Sequence, residues 1–132
     1  MDRLPPYAQL LGLRIEDVGD ECRLVMPFHE NVVGRPGFLH GGAIARLLEF
    51  AAFTTLARAI GDAAVVMKPI TVTVDYLRGG GVHDTFASAQ IQRLGNRMAN
   101  VEAFAWQRDR ASPIASARLN FLLERPVSRK LA

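Results

Sequence analysis

The chain has 132 residues, a formal net charge of +3 and 49% hydrophobic residues. This length and apolar content predict one domain over residues 1–132 and exclude an intrinsically disordered chain. The basic residues are scattered, which argues against nucleic-acid binding. The single cysteine, Cys22, excludes an internal disulfide and is typical of the reducing cytoplasm. Residues 1–13 contain two prolines and no continuous apolar run, so no signal peptide is predicted.

The first forty residues predict a short helix, a hairpin and a loop. Two prolines and Gly12 delimit a helix at about 5–11. Apolar and polar residues alternate in 13–18 and again in 21–28, which predicts two antiparallel strands around a Gly-Asp turn. Pro27 predicts that the second strand ends early or lies at a sheet edge. Glycines and a proline mark residues 29–39 as a loop.

The longest predicted element is a helix from Gly42 to about Ile60. Alanine and leucine dominate this stretch and it contains no proline, so its helix propensity is high. Apolar residues occupy nearly every face, which is typical of a buried helix. The helix is about 27 Å long and is interrupted by Arg46, Glu49 and Arg58, so it is not predicted to span a membrane.

The second half of the chain predicts four strands and a loose tail. Alternating patterns cover residues 65–77, 85–94, 98–107 and 114–123, and Gly95-Asn96 is a hairpin signal between the middle two. Because strands follow strands without intervening helices, we expect an antiparallel sheet of five to six strands in an α+β fold. The sheet covers one side of the long helix, and a second copy of the chain is the simplest cover for the other. The tail from about residue 126 is polar and predicted to be loose.

Gly41 and Gly42 stand where the long helix begins. The first N–H groups of a helix have no partner within it, and the helix dipole favours negative charge there. Glycine also lets another group approach the backbone closely. These properties suit the binding of a developing oxyanion. The alternative is that the two glycines only permit a tight loop.

Glu49 is the carboxylate of the long helix, and two interpretations remain open. It forms an i, i+3 ion pair with Arg46 on an exposed strip, or it acts as a nucleophile or general base. Gly41 and Glu49 are separated by about 12 Å along one helix, so they cannot both reach one reacting carbonyl within a subunit. If they cooperate, the N–H group and the carboxylate come from different chains, which predicts a dimer with sites at its interface.

Other candidates carry weaker signals. His40 is more often a loop-holding residue than a base, and no metal-ligand spacing surrounds it, so no metal site is predicted. Arg93 and Arg97 flank the Gly95-Asn96 turn, where they bind phosphate or only improve solubility. Aromatic residues that line an acyl pocket or belong to the core are Phe38, Phe50, Phe53 and Trp106.

The sequence resembles the hotdog-fold acyl-CoA thioesterases, and more narrowly their phenylacetate-degradation-type branch. The resemblance rests on Gly-Phe-Leu-His-Gly-Gly at residues 37–42, on Glu49 nine residues after the histidine, on residues 71–78 and on Leu-Gly-Asn-Arg at 94–97. It implies a dimer with a continuous sheet, or a dimer of such dimers, that hydrolyses acyl-CoA. No cofactor is implied beyond the coenzyme A of the substrate.

The resemblance also assigns roles to residues. The thioester carbonyl lies at Gly41 or Gly42, the partner subunit supplies Glu49, and His40 places the loop. The residues implied in substrate binding are Asn31, Gly34, Phe38, Phe53, Thr54, Arg93 and Arg97, with the coenzyme A phosphates near the two arginines.

Three features depart from the family pattern. A Ser or Thr is often found near the start of the strand after the helix, where this chain reads Met67-Lys68-Pro69. Many relatives carry Asp at the position of Glu49, and many carry Asn or Gln at that of Gly34, where the nearest amide here is Asn31. Two alternative functions therefore stay open. One is a hotdog hydratase or dehydratase, although His40 adjoins the helix more closely than is usual in those enzymes. The other is a non-catalytic acyl-CoA-binding domain.

Overall fold

The structure is a computed structural model that describes residues 4–126. Two helices and six strands make up the regular structure, with one 3-10 turn at Glu30–Val32. The helices are α1 Pro6–Leu10 and α2 Gly41–Ile60, and the strands are β1 Arg14–Val18, β2 Glu21–Met26, β3 Val66–Tyr76, β4 Thr85–Leu94, β5 Met98–Trp106 and β6 Ala115–Glu124.

The six strands form one antiparallel sheet in the order β1-β2-β4-β5-β6-β3. The strand that follows α2, β3, crosses to the far edge of the sheet and pairs with β6. The edges are therefore β1, with five residues, and β3, with eleven. The helix α2 lies across one face of the sheet and packs against five of the six strands, from β2 to β3.

The core lies between α2 and the sheet. Alternate residues of the central strands face the helix, and many are alanines that let the helix approach the sheet closely. Phe121 and Leu119 of β6 fill the remaining space, and burial of each stabilises the fold by about 1.5–3 kcal/mol. The buried residues of α2 are Ala43, Ile44, Leu47, Leu48, Ala51, Ala52, Thr54 and Leu56.

Both ends of α2 are capped. The His40 side chain caps the first turn. At the other end, Gly61 adopts a left-handed conformation (φ 66°), and its N–H donates to the carbonyl of Ala57 at 2.9 Å. Glycine adopts this conformation without a Cβ penalty, so it stops the helix here.

The predicted α+β class and the antiparallel sheet around one long helix are confirmed, with six strands. The second strand ends at Met26, before Pro27, and it is not an edge strand because it pairs with β4. Within one chain Phe53 and Arg58 of α2 are exposed, because the sheet covers only one side of the helix, as the sequence predicted. No helix in residues 4–126 is long and apolar enough to cross a membrane. Almost all of the predicted loose tail lies outside the described residues.

The edge strand β3 is long and open. Among residues 4–126, β6 is its only partner strand, and the register of this pair shifts between Pro69 and Thr71. Exposed apolar side chains line it, among them Ile70 at 54% and Val72 at 41% exposure. A long apolar edge of this kind is a template for pairing with another chain.

Candidate functional site

His40 organises the start of α2. Its Nδ1 accepts a hydrogen bond from the N–H of Gly42 at 2.9 Å, and its backbone N–H donates to the carbonyl of Val32 at 2.8 Å. Its carbonyl accepts from the N–H groups of Ala43 and Ile44. Because Nδ1 is an acceptor, the neutral ring carries its proton on Nε2. The histidine thus ties the loop before α2 to the first turn of the helix.

The two glycines at the helix start differ in their hydrogen bonds. The Gly42 N–H is occupied by His40, whereas no residue between 4 and 126 accepts from the N–H of Gly41. The carbonyl of Gly41 accepts from the Tyr76 hydroxyl at 2.8 Å. Gly41 therefore presents a free donor at the positive end of a 20-residue helix.

A cavity of about 560 Å³ opens beside this donor. Two of the residues that line it are cationic: Arg35 lies over the ring of Phe38 at 4.8 Å, and Nε of Arg78 donates to the carbonyl of Pro113 at 3.1 Å. None of the lining residues is acidic, so the cavity favours an anion or a polarised carbonyl. The lining residues are Gly34, Arg35, Phe38, Leu39, His40, Gly41, Ile44, Tyr76, Leu77, Arg78, Gly79 and Gly80.

Lack of space for a Cβ explains two glycines of this cavity. A Cβ at Gly34 would lie 3.0 Å from Cα of His40, and one at Gly80 would lie 2.5 Å from Cδ1 of Leu39. The Leu39 N–H also donates to the carbonyl of Gly80 at 3.0 Å. There is thus no room at position 34 for the amide side chain that many relatives carry, unless the backbone of His40 moves.

Glu49 does not reach this cavity within one chain. It lies two turns further along α2 and pairs with Arg46 at 3.2 Å, with 23% of its side chain exposed. The ion pair of the structural interpretation is therefore present. Gly41 and Glu49 both lie in α2, so about 12 Å of helix separates them, as the sequence predicted.

A second cavity, of about 500 Å³, lies at the other end of α2. Phe53, with 38% exposure, and the buried Thr54 line it, so these two candidates lie together but far from His40. Its lining is mostly apolar and consists of Leu4, Pro5, Ile15, Phe50, Phe53, Thr54, Ala57, Arg58, Ile60, Gly61, Asp62, Ala63, Val65 and Met67.

The predicted phosphate-binding arginines lie away from the helix start. Arg93 and Arg97 are exposed near the turn between β4 and β5. Strand pairing places this turn beside Lys68, through Met98 and Leu122, whereas Tyr76 aligns with the opposite ends of β5 and β6. The distance along β3 between these ends is about 26 Å. One chain does not bring these arginines to His40.

Two further candidates also lie elsewhere. The backbone and side chain of Asn31 donate to His29 Nδ1 and to the carbonyl of Leu10, so Asn31 fastens the 3-10 turn to α1 and does not line the cavity beside Gly41. Trp106 stacks on Phe86, and neither ring lines the cavities at the two ends of α2.

Sequence reasoning missed two residues of the cavity beside Gly41, Arg35 and Tyr76, and it did not place Arg78 in this cavity. The alternation in β3 could have placed Tyr76 on the same face as Val72 and Val74. It could not have revealed the hydrogen bond to Gly41, because that bond joins residues 35 positions apart. The described residues contain no group of three or more His, Cys, Asp or Glu that could hold a metal ion.

The family model of the thioesterase superfamily matches residues 36–114. The chain belongs to this superfamily, and the resemblance to the hotdog thioesterases is confirmed. A search among curated proteins found no match.

Solved structures share the fold. A protein of Chromobacterium violaceum is 36% identical, with 90% of this chain and 83% of that chain covered and a TM-score of 0.75. A Bacillus halodurans protein solved with coenzyme A is 19% identical over 96% of this chain and 83% of that one, with a TM-score of 0.85. A phenylacetic acid degradation-related protein of Ralstonia eutropha is 18% identical over 91% of each chain, with a TM-score of 0.79.

Proposed function

We propose that this protein hydrolyses acyl-CoA thioesters to a free acid and coenzyme A. The observation that carries the proposal is the free N–H of Gly41, a residue that lines a cavity at the start of a 20-residue helix in a member of the thioesterase superfamily. A donor fixed at a helix N-terminus stabilises the negative charge that develops on a thioester oxygen under attack.

In this proposal Glu49 of the partner subunit completes the site. Its carboxylate removes a proton from a water molecule that attacks the carbonyl carbon, or it attacks that carbon itself and forms an anhydride that water then cleaves. In both routes the C–S bond breaks and coenzyme A leaves as the thiol after protonation. A second chain is required because about 12 Å of helix separate Gly41 from Glu49 in one subunit.

The open edge of β3 supports pairing of two chains. If two copies of β3 pair antiparallel around a two-fold axis, the Tyr76 end of one strand meets the Val66 end of the other. The turn that carries Arg93 and Arg97 lies at that second end. Both arginines of the partner subunit then approach the cavity beside Gly41, where they can bind coenzyme A phosphates. The Bacillus halodurans protein shows that this fold can hold coenzyme A.

One observation favours a second candidate, acyl-CoA binding without turnover. Arg46 already pairs with Glu49, and a carboxylate held in an ion pair is a poorer nucleophile than a free one. The non-catalytic candidate predicts that Glu49→Gln leaves ligand binding intact and that the wild type releases no thiol.

We place either activity in the cytoplasm, where the single buried thiol of Cys22 stays reduced.

The test is thiol release from a panel of acyl-CoAs, from acetyl to long-chain and aromatic, by the wild type and by Glu49→Gln. We expect turnover of at least one substrate and a loss of about 100-fold or more in Glu49→Gln. Glu102→Gln is the matched control, because Glu102 contacts Gln92 on the opposite face of the sheet. Full activity in Glu49→Gln would remove the carboxylate from the mechanism.

A further inference from the structure

The peptide group between Gly41 and Gly42 is held at both ends. Its carbonyl accepts from the Tyr76 hydroxyl at 2.8 Å, and its N–H donates to Nδ1 of His40 at 2.9 Å. The preceding peptide group is held as well, because the carbonyl of His40 accepts from Ala43 and Ile44. Both peptide planes that meet at Gly41 are therefore fixed.

This fixation matters because Gly41 is a glycine. Glycine has the widest choice of backbone conformation, so a glycine at the start of a helix does not by itself hold its N–H in one direction. The Tyr76 ring adds a second constraint: a Cβ built on Gly41 would lie 3.5 Å from ring atoms of Tyr76, which is ordinary van der Waals contact. Both the ring and the hydroxyl of Tyr76 therefore lie against Gly41, the residue with the free N–H.

We propose that Tyr76 is a positioning residue. Its hydroxyl fixes the Gly41–Gly42 peptide, which restricts rotation of the backbone at Gly41 and so helps to hold the N–H of the neighbouring His40–Gly41 peptide towards the oxyanion of the thioester. The inference rests on the proposed function and deepens it. An oxyanion donor contributes fully only when its direction is set before the reaction, so that no reorganisation is needed as charge develops. Tyr76 is the last residue of β3, the edge strand that we expect to pair with the partner subunit. This pairing would also restrict the movement of Tyr76.

The test is Tyr76→Phe, which removes the hydroxyl and keeps the ring. We expect kcat and kcat/KM for the best acyl-CoA to fall together by about 10-fold, less than the roughly 100- to 1,000-fold that loss of an entire oxyanion donor costs. KM and the Kd of free coenzyme A should stay unchanged, because neither depends on oxyanion stabilisation. A structural role alone would lower the melting temperature without this split between kcat and KM.

The matched control is Tyr7→Phe. Tyr7 is the other tyrosine of the chain. It is 44% exposed, compared with 55% for Tyr76, and its hydroxyl has no hydrogen-bond partner among residues 4–126. We expect wild-type kcat in this variant. An unchanged kcat in Tyr76→Phe would overturn the inference, and so would a loss that appears in KM or in the oligomeric mass instead.

A second measurement does not require turnover. Amide hydrogen exchange of Gly42, followed by NMR in the full chain, should be faster in Tyr76→Phe than in the wild type and unchanged in Tyr7→Phe. Equal exchange in all three proteins would overturn the inference. A wild type that releases no thiol would instead overturn the proposed function, while faster exchange in Tyr76→Phe would still show that Tyr76 holds the helix start.

Discussion

The two ends of α2 have opposite chemistry. At the first end, glycines, His40 and two arginines surround a free backbone donor in a cavity without acidic residues. At the second end, Gly61 closes the helix and a mostly apolar cavity of about 500 Å³ contains Phe53. One end suits a polarised carbonyl and the other an acyl chain. Since the helix holds them apart, the proposed mechanism requires two chains to bring both ends to one thioester.

The largest effect is expected when the polar end of α2 is disturbed at Gly42. A Cβ there would lie 2.9 Å from Nδ1 of His40, whereas one at Gly41 meets only ordinary contacts at 3.5 Å. Gly42→Ala should displace the imidazole and lower kcat by about 100-fold, and Gly41→Ala should lose less. Thiol release and melting temperature measured together check that the fold is kept. Equal losses would contradict the assignment of the cap to His40.

The second test asks whether each site takes its parts from two chains. Co-expression of Glu49→Gln with Gly42→Ala should restore about a quarter of wild-type activity, because half of the dimers are hybrids and each hybrid has one intact site. Separately purified variants that are mixed without subunit exchange are the control. If the co-expressed pair stays as inactive as its parents, the site is built within one chain.

The third test concerns the apolar end. Phe53→Ala should raise KM for long or aromatic acyl-CoAs by about 10-fold, through the loss of a large apolar contact, and should leave acetyl-CoA unaffected. Phe104→Ala is the matched control, with 39% exposure compared with 38% for Phe53, on the opposite face of the sheet. A uniform change across acyl lengths would show that the cavity at Phe53 does not hold the acyl group.

The smallest effect is expected at an ion pair outside both ends of α2. The hydrogen bonds from Arg110, helped by its charge, lower the pKa of Glu21 below its ordinary value of 4.5. A lowered folded-state pKa stabilises the fold above the unfolded value, and this contribution is lost as the pH falls through the folded pKa. Glu21→Gln should therefore cost about 1 kcal/mol or less at pH 7, and the difference should vanish at low pH.

Denaturant unfolding at pH 7 and below pH 4 measures this cost, and thiol release should stay at the wild-type level. Glu124→Gln, which breaks the more exposed pair with Lys68 at 3.1 Å, is the control and should cost less. A pH-independent cost in Glu21→Gln would indicate lost packing in place of lost charge.

Much of the fold was predictable because it depends on local pattern. The alternating pattern predicted the ends of β4, β5 and β6 to within about one residue. Helix propensity predicted α2 to begin at Gly42, one residue after its observed start at Gly41. The pattern could not give the exposure of Phe53, because that depends on how much of the helix the sheet covers. The pattern also could not show that Gly41, and not Gly42, has the free N–H. That depends on the hydrogen bond from the Gly42 N–H to the His40 side chain.

Local pattern predicted the class of the fold, the helix start at His40–Gly42 and the spacing that keeps Glu49 away from Gly41. These follow from residue type and from the fixed rise of an α-helix. The folded structure was needed to show that Tyr76, Arg35 and Arg78 line the cavity beside Gly41 and that Arg93 and Arg97 lie at the far end of the sheet. Strand order sets these neighbours, and strand order depends on long-range pairing that no local pattern encodes.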